Sequence, residues 1–186
     1  DGTTSRGLGD VYKRQQVACT RKTTWGLLDK WAVHLGGGLT HRLTREDALM
    51  IKENDLAAMS DSDLTNDQKI AQLIQSLQLD TSASFIEIEV RNEKEAITAA
   101  VVWSQTHAAS DTELVIMLDN FGPERCKDVV AQLTDMELRD AVLLEASGNI
   151  TYQSLDDWFE CGVDVLSTSA INRGVPPLDI SMIMGE

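Results

Sequence analysis

Apolar residues fall along this chain in two rhythms. Short runs of near-continuous apolar character stand at ValAlaCys (17–19), AlaLeuMetIle (48–51), PheIleGluIleGluVal (85–90), LeuValIleMetLeu (114–118), AlaValLeuLeu (141–144) and ValAspValLeu (163–166). Between them the apolar positions recur at three and four. Leu27, Leu28, Trp31, Ala32 and Leu35 form one such stripe, and Ile70, Leu73, Ile74 and Leu77 another. The first rhythm is that of strands buried on both faces, and the second is that of helices. Helices are also expected over 93–106, rich in Ala and Val, over 123–138, with Pro123 in the first turn, and over 152–160. Gly36, Gly37 and Gly38 end the first helix. Trp25, Trp31, Trp103 and Trp158 fall on these helices and are expected to pack on the sheet, with His34 and His107 as structural or surface residues.

Strands alternating with helices predict an α/β fold with a parallel sheet covered by helices. Strand starts near 48, 85, 114, 141 and 163 suit either a βα barrel or a doubly wound sheet. No GlyXaaGlyXaaXaaGly follows a strand, so the dinucleotide-binding fingerprint is absent. In both architectures ligands lie at the carboxyl ends of the strands. Here those ends carry Arg21 and Lys22, Lys52, Glu89, Asp119, Glu145 with Ser147, and Ser167 with Ser169. Every strand is thus expected to deliver a charged or hydroxyl group to one rim.

Composition sharpens this picture through charge. The 186 residues hold 16 Lys plus Arg against 30 Asp plus Glu, a net charge of -14, with 42% apolar residues, enough for one sizeable core. So acidic a chain is a poor partner for nucleic acid or an anionic membrane, and no apolar run reaches the roughly 20 residues of a spanning helix. Cys19, Cys126 and Cys161 are odd in number and lack metal-ligand spacing, which favours reduced thiols and a cytoplasmic setting. Residues 10–15, AspValTyrLysArgGln, resemble translated cloning sequence, so residues 1–15 are expected to be an appended, disordered stretch, with the domain over 16–175 and a tail strand over 176–186.

Against this acidity, residues 20–55 gather Arg21, Lys22, His41, Arg42, Arg45 and Lys52 around a Gly-rich turn. Like charges repel, and such a concentration is unfavourable unless an anion binds there. Guanidinium groups grip carboxylate or phosphate in a fork, and lysine supplies a movable point charge. Glu87 and Glu89 alternate onto one face of their strand. Paired with Lys52 or with a divalent ion, Glu89 and Asp119 form a hard-oxygen site suited to Mg²⁺ bridging phosphates; an internal salt bridge without metal is the plainer alternative. Ser147 and Gly148, then Thr168 and Ser169, offer donors for a phosphate at the last two strand ends. The segment 60–67 reads as a solvated connection.

Eight motifs in order carry a resemblance: ThrArgLysThr (20–23), AspLysTrpAlaVal (29–33), GlyGlyGlyLeuThrHisArg (36–42), IleLysGluAsn (51–54), GluIleGluVal (87–90), MetLeuAspAsnPhe (117–121), LeuGluAlaSerGly (144–148) and GlyValAspValLeuSer (162–167). Together they resemble the quinolinate phosphoribosyltransferases, or carboxylating nicotinate-nucleotide pyrophosphorylases. The resemblance implies an incomplete (β/α) barrel of about six parallel strands of the type II phosphoribosyltransferase kind, an N-terminal sandwich domain that is missing here, and a homodimer. It implies conversion of quinolinate and phosphoribosyl pyrophosphate to nicotinate mononucleotide, pyrophosphate and CO₂ with Mg²⁺, in NAD synthesis. By resemblance Arg21, His41 and Arg42 hold the quinolinate carboxylates, and Lys22 and Lys52 reach substrate and pyrophosphate. Glu89 and Asp119 take the ribose hydroxyls and metal, acting in catalysis with Lys52, while Ser147, Gly148 and Ser169 take the 5′-phosphate. Asp55, Asn149 and Ser169 depart from the family pattern, which has His, Gly and Gly there. Without the N-terminal domain the chain is expected to be poorly active, and its tail over 178–184 to leave apolar surface exposed. A Schiff-base aldolase using Lys52 and a non-catalytic barrel binding a phosphate metabolite are the competing readings.

Overall fold

A computed structural model describes residues 15–44, 46–59, 63–79 and 83–173. Arg45, positions 1–14 of the stretch expected to be appended, positions 60–62 of the polar connection and the expected tail strand lie outside the described residues. Gln15, expected within that disordered stretch, is placed, its side-chain amide donating to the carbonyls of Trp158 and Val163. Six strands, β1 (Gln16–Cys19), β2 (Ala48–Ile51), β3 (Phe85–Val90), β4 (Glu113–Asp119), β5 (Leu143–Ser147) and β6 (Val165–Thr168), form one sheet. Every pairing is parallel, in the order β1-β6-β5-β4-β3-β2. Each strand from β2 to β5 therefore neighbours its successor, and β6 pairs with β1. Although β1 and β2 stand at opposite ends of this order, Thr20, Arg21 and Lys22 after β1 and Met50 and Lys52 of the β2 segment line one cavity. The sheet consequently curls into a barrel, open between β2 and β1. On its open side β1 takes a single bridge from Leu39, whose amide donates to the Val17 carbonyl and whose carbonyl accepts from the Cys19 amide, both at 2.9 Å.

Helices α1 (Leu27–Leu35), α2 (Glu53–Ala58), α3 (Asn66–Ser76), α4 (Glu93–Thr106) and α5 (Pro123–Asp135) connect the strands, with 3-10 turns over Arg139–Ala141 and Tyr152–Trp158. The period of two along each strand divides its side chains between two environments. Ile86, Ile88, Val90, Leu114, Ile116, Leu118, Leu144, Ala146 and Leu166 face the helices and are buried with Ile70, Ile74, Trp103, Val129 and Leu133. Each Leu, Ile or Val among them contributes roughly 1.5–3 kcal/mol of apolar transfer, so the outer layer of the sheet is where the fold is held. Glu87, Met117, Glu145 and Ser167 occupy the intervening positions and point into the barrel.

Helix α1 departs from the expectation. Its apolar stripe faces solvent: Trp25 just before it, then Leu27, Leu28, Trp31 and Leu35 are 59–73% exposed, and Lys30 and Val33 are the residues it buries. The physical reason is polar docking. The Lys30 ammonium donates to the backbone carbonyls of Thr40, at 2.5 Å, and Cys19, at 3.3 Å, and this turns the opposite face inward. Trp103 and Trp158 do pack in the core; Trp25 and Trp31 do not. Helix α2, which no apolar spacing announces, starts directly at the end of β2.

Candidate active site

The end of β1 and the glycine turn after α1 are fixed together first. Lys30 ties the Thr40 carbonyl to that of Cys19, and the Asn172 side-chain amide donates to the carbonyls of Thr20 and Lys22 from the turn after β6. His41 follows in the left-handed region (φ 55°), which swings its ring into the barrel and sends Arg42 along β2. There the Arg42 guanidinium donates to the Ala48 carbonyl at 3.4 Å and lies 3.0 Å from Met50 Sδ. The Asp47 carboxylate accepts the Leu43 and Thr44 amides at 2.8 Å, closing the loop; those two donors hold its carboxyl below the usual carboxylate range.

Lys52 follows β2 as the N-cap of α2, and its ammonium lies 2.7 Å from Glu89 Oε2 near the end of β3. Asp55 accepts the Lys52 amide at 2.8 Å, so the departure from His at this position supplies a cap to α2 and anchors Lys52. Asp119 ends β4 and stands in register with Ser147 of β5, itself in register with Ser167 of β6. The result is a cavity of about 250 Å³ at the carboxyl ends of the strands. Arg21, Lys22, Arg42 and Lys52 line it together with Glu89 and Asp119 and with Ser147, His41 and Ser167.

Of the residues expected at the site, Gly148 and Ser169 do not line this cavity. Gly148 (φ 101°) packs so tightly on Asn120 that a side chain would collide with Asn120 Oδ1. Asn149 is also left-handed (φ 56°) and its side chain donates to Asn120 Oδ1 at 3.1 Å; asparagine tolerates this conformation, which is why it can replace glycine here. The Ser169 carbonyl accepts the Asn172 and Arg173 amides. A larger cavity of about 660 Å³ lies between β1, α1 and the 152–158 turn, and among the described residues no charged one lines it. The charged side chains line the smaller one.

Sequence reasoning missed what lies beneath the mouth. His41 Nε2 is 3.1 Å from Glu145 Oε2 and 3.4 Å from Glu87 Oε1, all three side chains nearly inaccessible. Burial alone would discharge the imidazole, but hydrogen bonds and attraction from the two glutamates outweigh it and raise its pKa to about 9. Burial pushes the Glu87 carboxyl above its ordinary range. Alternation placed Glu87 beside Glu89 in the sequence; only the fold of the 36–42 turn brings His41 to it.

An α/β barrel whose carboxyl-end mouth sets cations against carboxylates defines a protein built to bind a multiply charged anion. The family model for the quinolinate phosphoribosyl transferase C-terminal domain matches residues 4–183, and the chain belongs to that family. It is 34% identical over 174 residues to a probable carboxylating nicotinate-nucleotide pyrophosphorylase of Archaeoglobus fulgidus, covering 92% of this chain and 60% of that protein. It is 34% identical over 182 residues to the carboxylating nicotinate-nucleotide pyrophosphorylase of Dictyostelium discoideum, covering 94% and 55%. The structure of the nicotinate-nucleotide pyrophosphorylase from Francisella tularensis superposes with a TM-score of 0.66 at 31% identity, over 89% of this chain and 51% of that one. The chain thus spans about half to three fifths of the length of these relatives.

Proposed function

We propose that this chain is the barrel domain of an enzyme that joins quinolinate to the phosphoribosyl group of phosphoribosyl pyrophosphate, releasing pyrophosphate and CO₂ and leaving nicotinate mononucleotide. The observation that carries the reading is the convergence of Arg21, Lys22, Arg42 and Lys52 with Glu89 and Asp119 on one small cavity. Arg21, His41 and Arg42 take the two carboxylates of quinolinate, a job for forked donors. Lys22 and Lys52 take the pyrophosphate. As its bond to the ribose carbon breaks, positive charge grows on that carbon and negative charge on the leaving group. The pyridine nitrogen attacks the carbon while the lysines stabilise the leaving group and the carboxylates of Glu89 and Asp119 oppose the positive centre. Loss of CO₂ from the position beside the new cationic nitrogen leaves an electron pair there, which a proton captures. Ser147 takes the 5′-phosphate.

Glu89 and Asp119 offer hard oxygens that fit Mg²⁺, and the two of them would hold it jointly with ligand phosphates. Bound there, Mg²⁺ would neutralise phosphate charge. The reading extends to a homodimer, supported by the exposed apolar stripe of α1, and to a cytoplasmic setting, supported by three buried free cysteines and the absence, among the described residues, of any helix long and apolar enough to cross a membrane. The Schiff-base alternative fits less well. Its amine must be desolvated, and Lys52 is half exposed and ion-paired to Glu89.

The test is quinolinate-dependent pyrophosphate release by the full-length protein carrying this chain. Lys52→Ala and Arg42→Ala are each expected to lower kcat/KM by roughly a hundredfold or more. Full activity in both variants would overturn the assignment.

A further inference from the structure

The His41 cluster does more than the binding role just given requires. His41 Nε2, Glu87 and Glu145 present ligand-type atoms that all lie within 4.8 Å of one another, inside the barrel. Glu87 is fully buried, and apart from the ion pair to His41 neither of its oxygens has a hydrogen-bond partner among the described residues; the same holds for Glu145 Oε1. Two carboxylates buried this deeply are costly unless a cation stands between them, and His41 stands there.

The groups facing His41 come from every side. Strand β3 supplies Glu87 and the edge-on ring of Phe85, 5.8 Å between centroids; β5 supplies Glu145; its own segment supplies Arg42. Strands β4 and β6 bring the uncharged Met117 and Ser167 to the same mouth, and Arg21, Lys22, Lys52, Glu89 and Asp119 carry its remaining charges. Nε2–H is committed to the glutamates, and a protonated ring carries a second donor on Nδ1.

We propose that Glu87 and Glu145 are positioning residues that hold His41 as an imidazolium with its ring fixed, so that the floor of the mouth keeps a protonated, oriented ring as donor to a ligand carboxylate. The ligand half of this inference rests on the phosphoribosyl-transfer reading; the His41 half does not. A cation held by two buried anions cannot swing away or discharge as pH rises through neutrality, whereas a lone buried histidine would be neutral there.

The experiment is a pH titration of ¹⁵N-labelled histidine ring nitrogens in the full-length protein by NMR, with the His41 signals assigned by His41→Gln. His41 is expected to stay protonated to about pH 9. Glu145→Gln and, independently, Glu87→Gln are expected to lower its midpoint by roughly a unit or more and leave His34 and His107 unmoved. A native midpoint near 6.5, or one unchanged in both variants, would overturn the proposal. So would displacement of the His41 proton by added Zn²⁺ alone at neutral pH, which would make the cluster a metal site. In kinetics, Glu145→Gln is expected to raise KM for quinolinate roughly tenfold with a smaller change in kcat, the penalty growing from pH 7 to 9. A fall in kcat with KM unchanged would remove the ligand half. No quinolinate-dependent turnover in the native protein, with His41 titrating as described, would sink the functional reading and leave the positioning role standing.

Discussion

Single backbone angles decide much of this site. Gly148 sits at φ 101° with Asn120 Oδ1 where a methyl group would go, so both conformation and space forbid a side chain. Gly148→Ala is therefore expected to cost more than about 1 kcal/mol of stability and to pry apart the loops after β4 and β5, read as a lower thermal midpoint together with weaker binding of phosphoribosyl pyrophosphate. Unchanged stability and affinity would show the close approach to be inessential. Asn149 and His41 share the left-handed conformation, and neither is a glycine. That is why the sequence could point to the cations and acids of the rim but not to the cluster below it. The residue type His41 was visible; the φ of 55° that aims it between Glu87 and Glu145 has no signature in apolar spacing.

At the scale of elements, strand ends were the most legible part. Near-continuous apolar runs that alternate with helical spacing and end in charge suit parallel strands, whose last residues then share a rim. Lys52, Glu89, Asp119 and Ser147 bear this out by lining one cavity. Helix α1 was legible as a helix and illegible in orientation, because an apolar stripe names a face to be covered without naming what covers it. Its inward face is set by Lys30 reaching two carbonyls, a contact that hydropathy scores as unfavourable. The exposed apolar face of α1 supports the proposed homodimer contact. In the full-length protein Trp31→Glu is expected to convert a dimer to a monomer in sedimentation equilibrium without altering far-ultraviolet circular dichroism. A native protein that is monomeric at every concentration would contradict the assignment of that face.

At the scale of the whole molecule, one charge asymmetry organises the rest. A chain of net charge -14 keeps four of its cations, Arg21, Lys22, Arg42 and Lys52, around one small cavity, and it can do so because a curled sheet brings its two edge strands to the same mouth. Hydrophobic burial holds the outer layer of that sheet, which leaves the inner layer free to carry Glu87, Glu145 and the polar strand ends. We propose that this mouth grips a dicarboxylate. The most direct measurement is a crystal structure of the full-length protein soaked with quinolinate. Density for the ligand is expected between Arg21, Arg42 and Lys52, its carboxylates within hydrogen-bond reach of the guanidinium groups and of His41; an occupied site elsewhere, with this mouth filled by solvent, would contradict it.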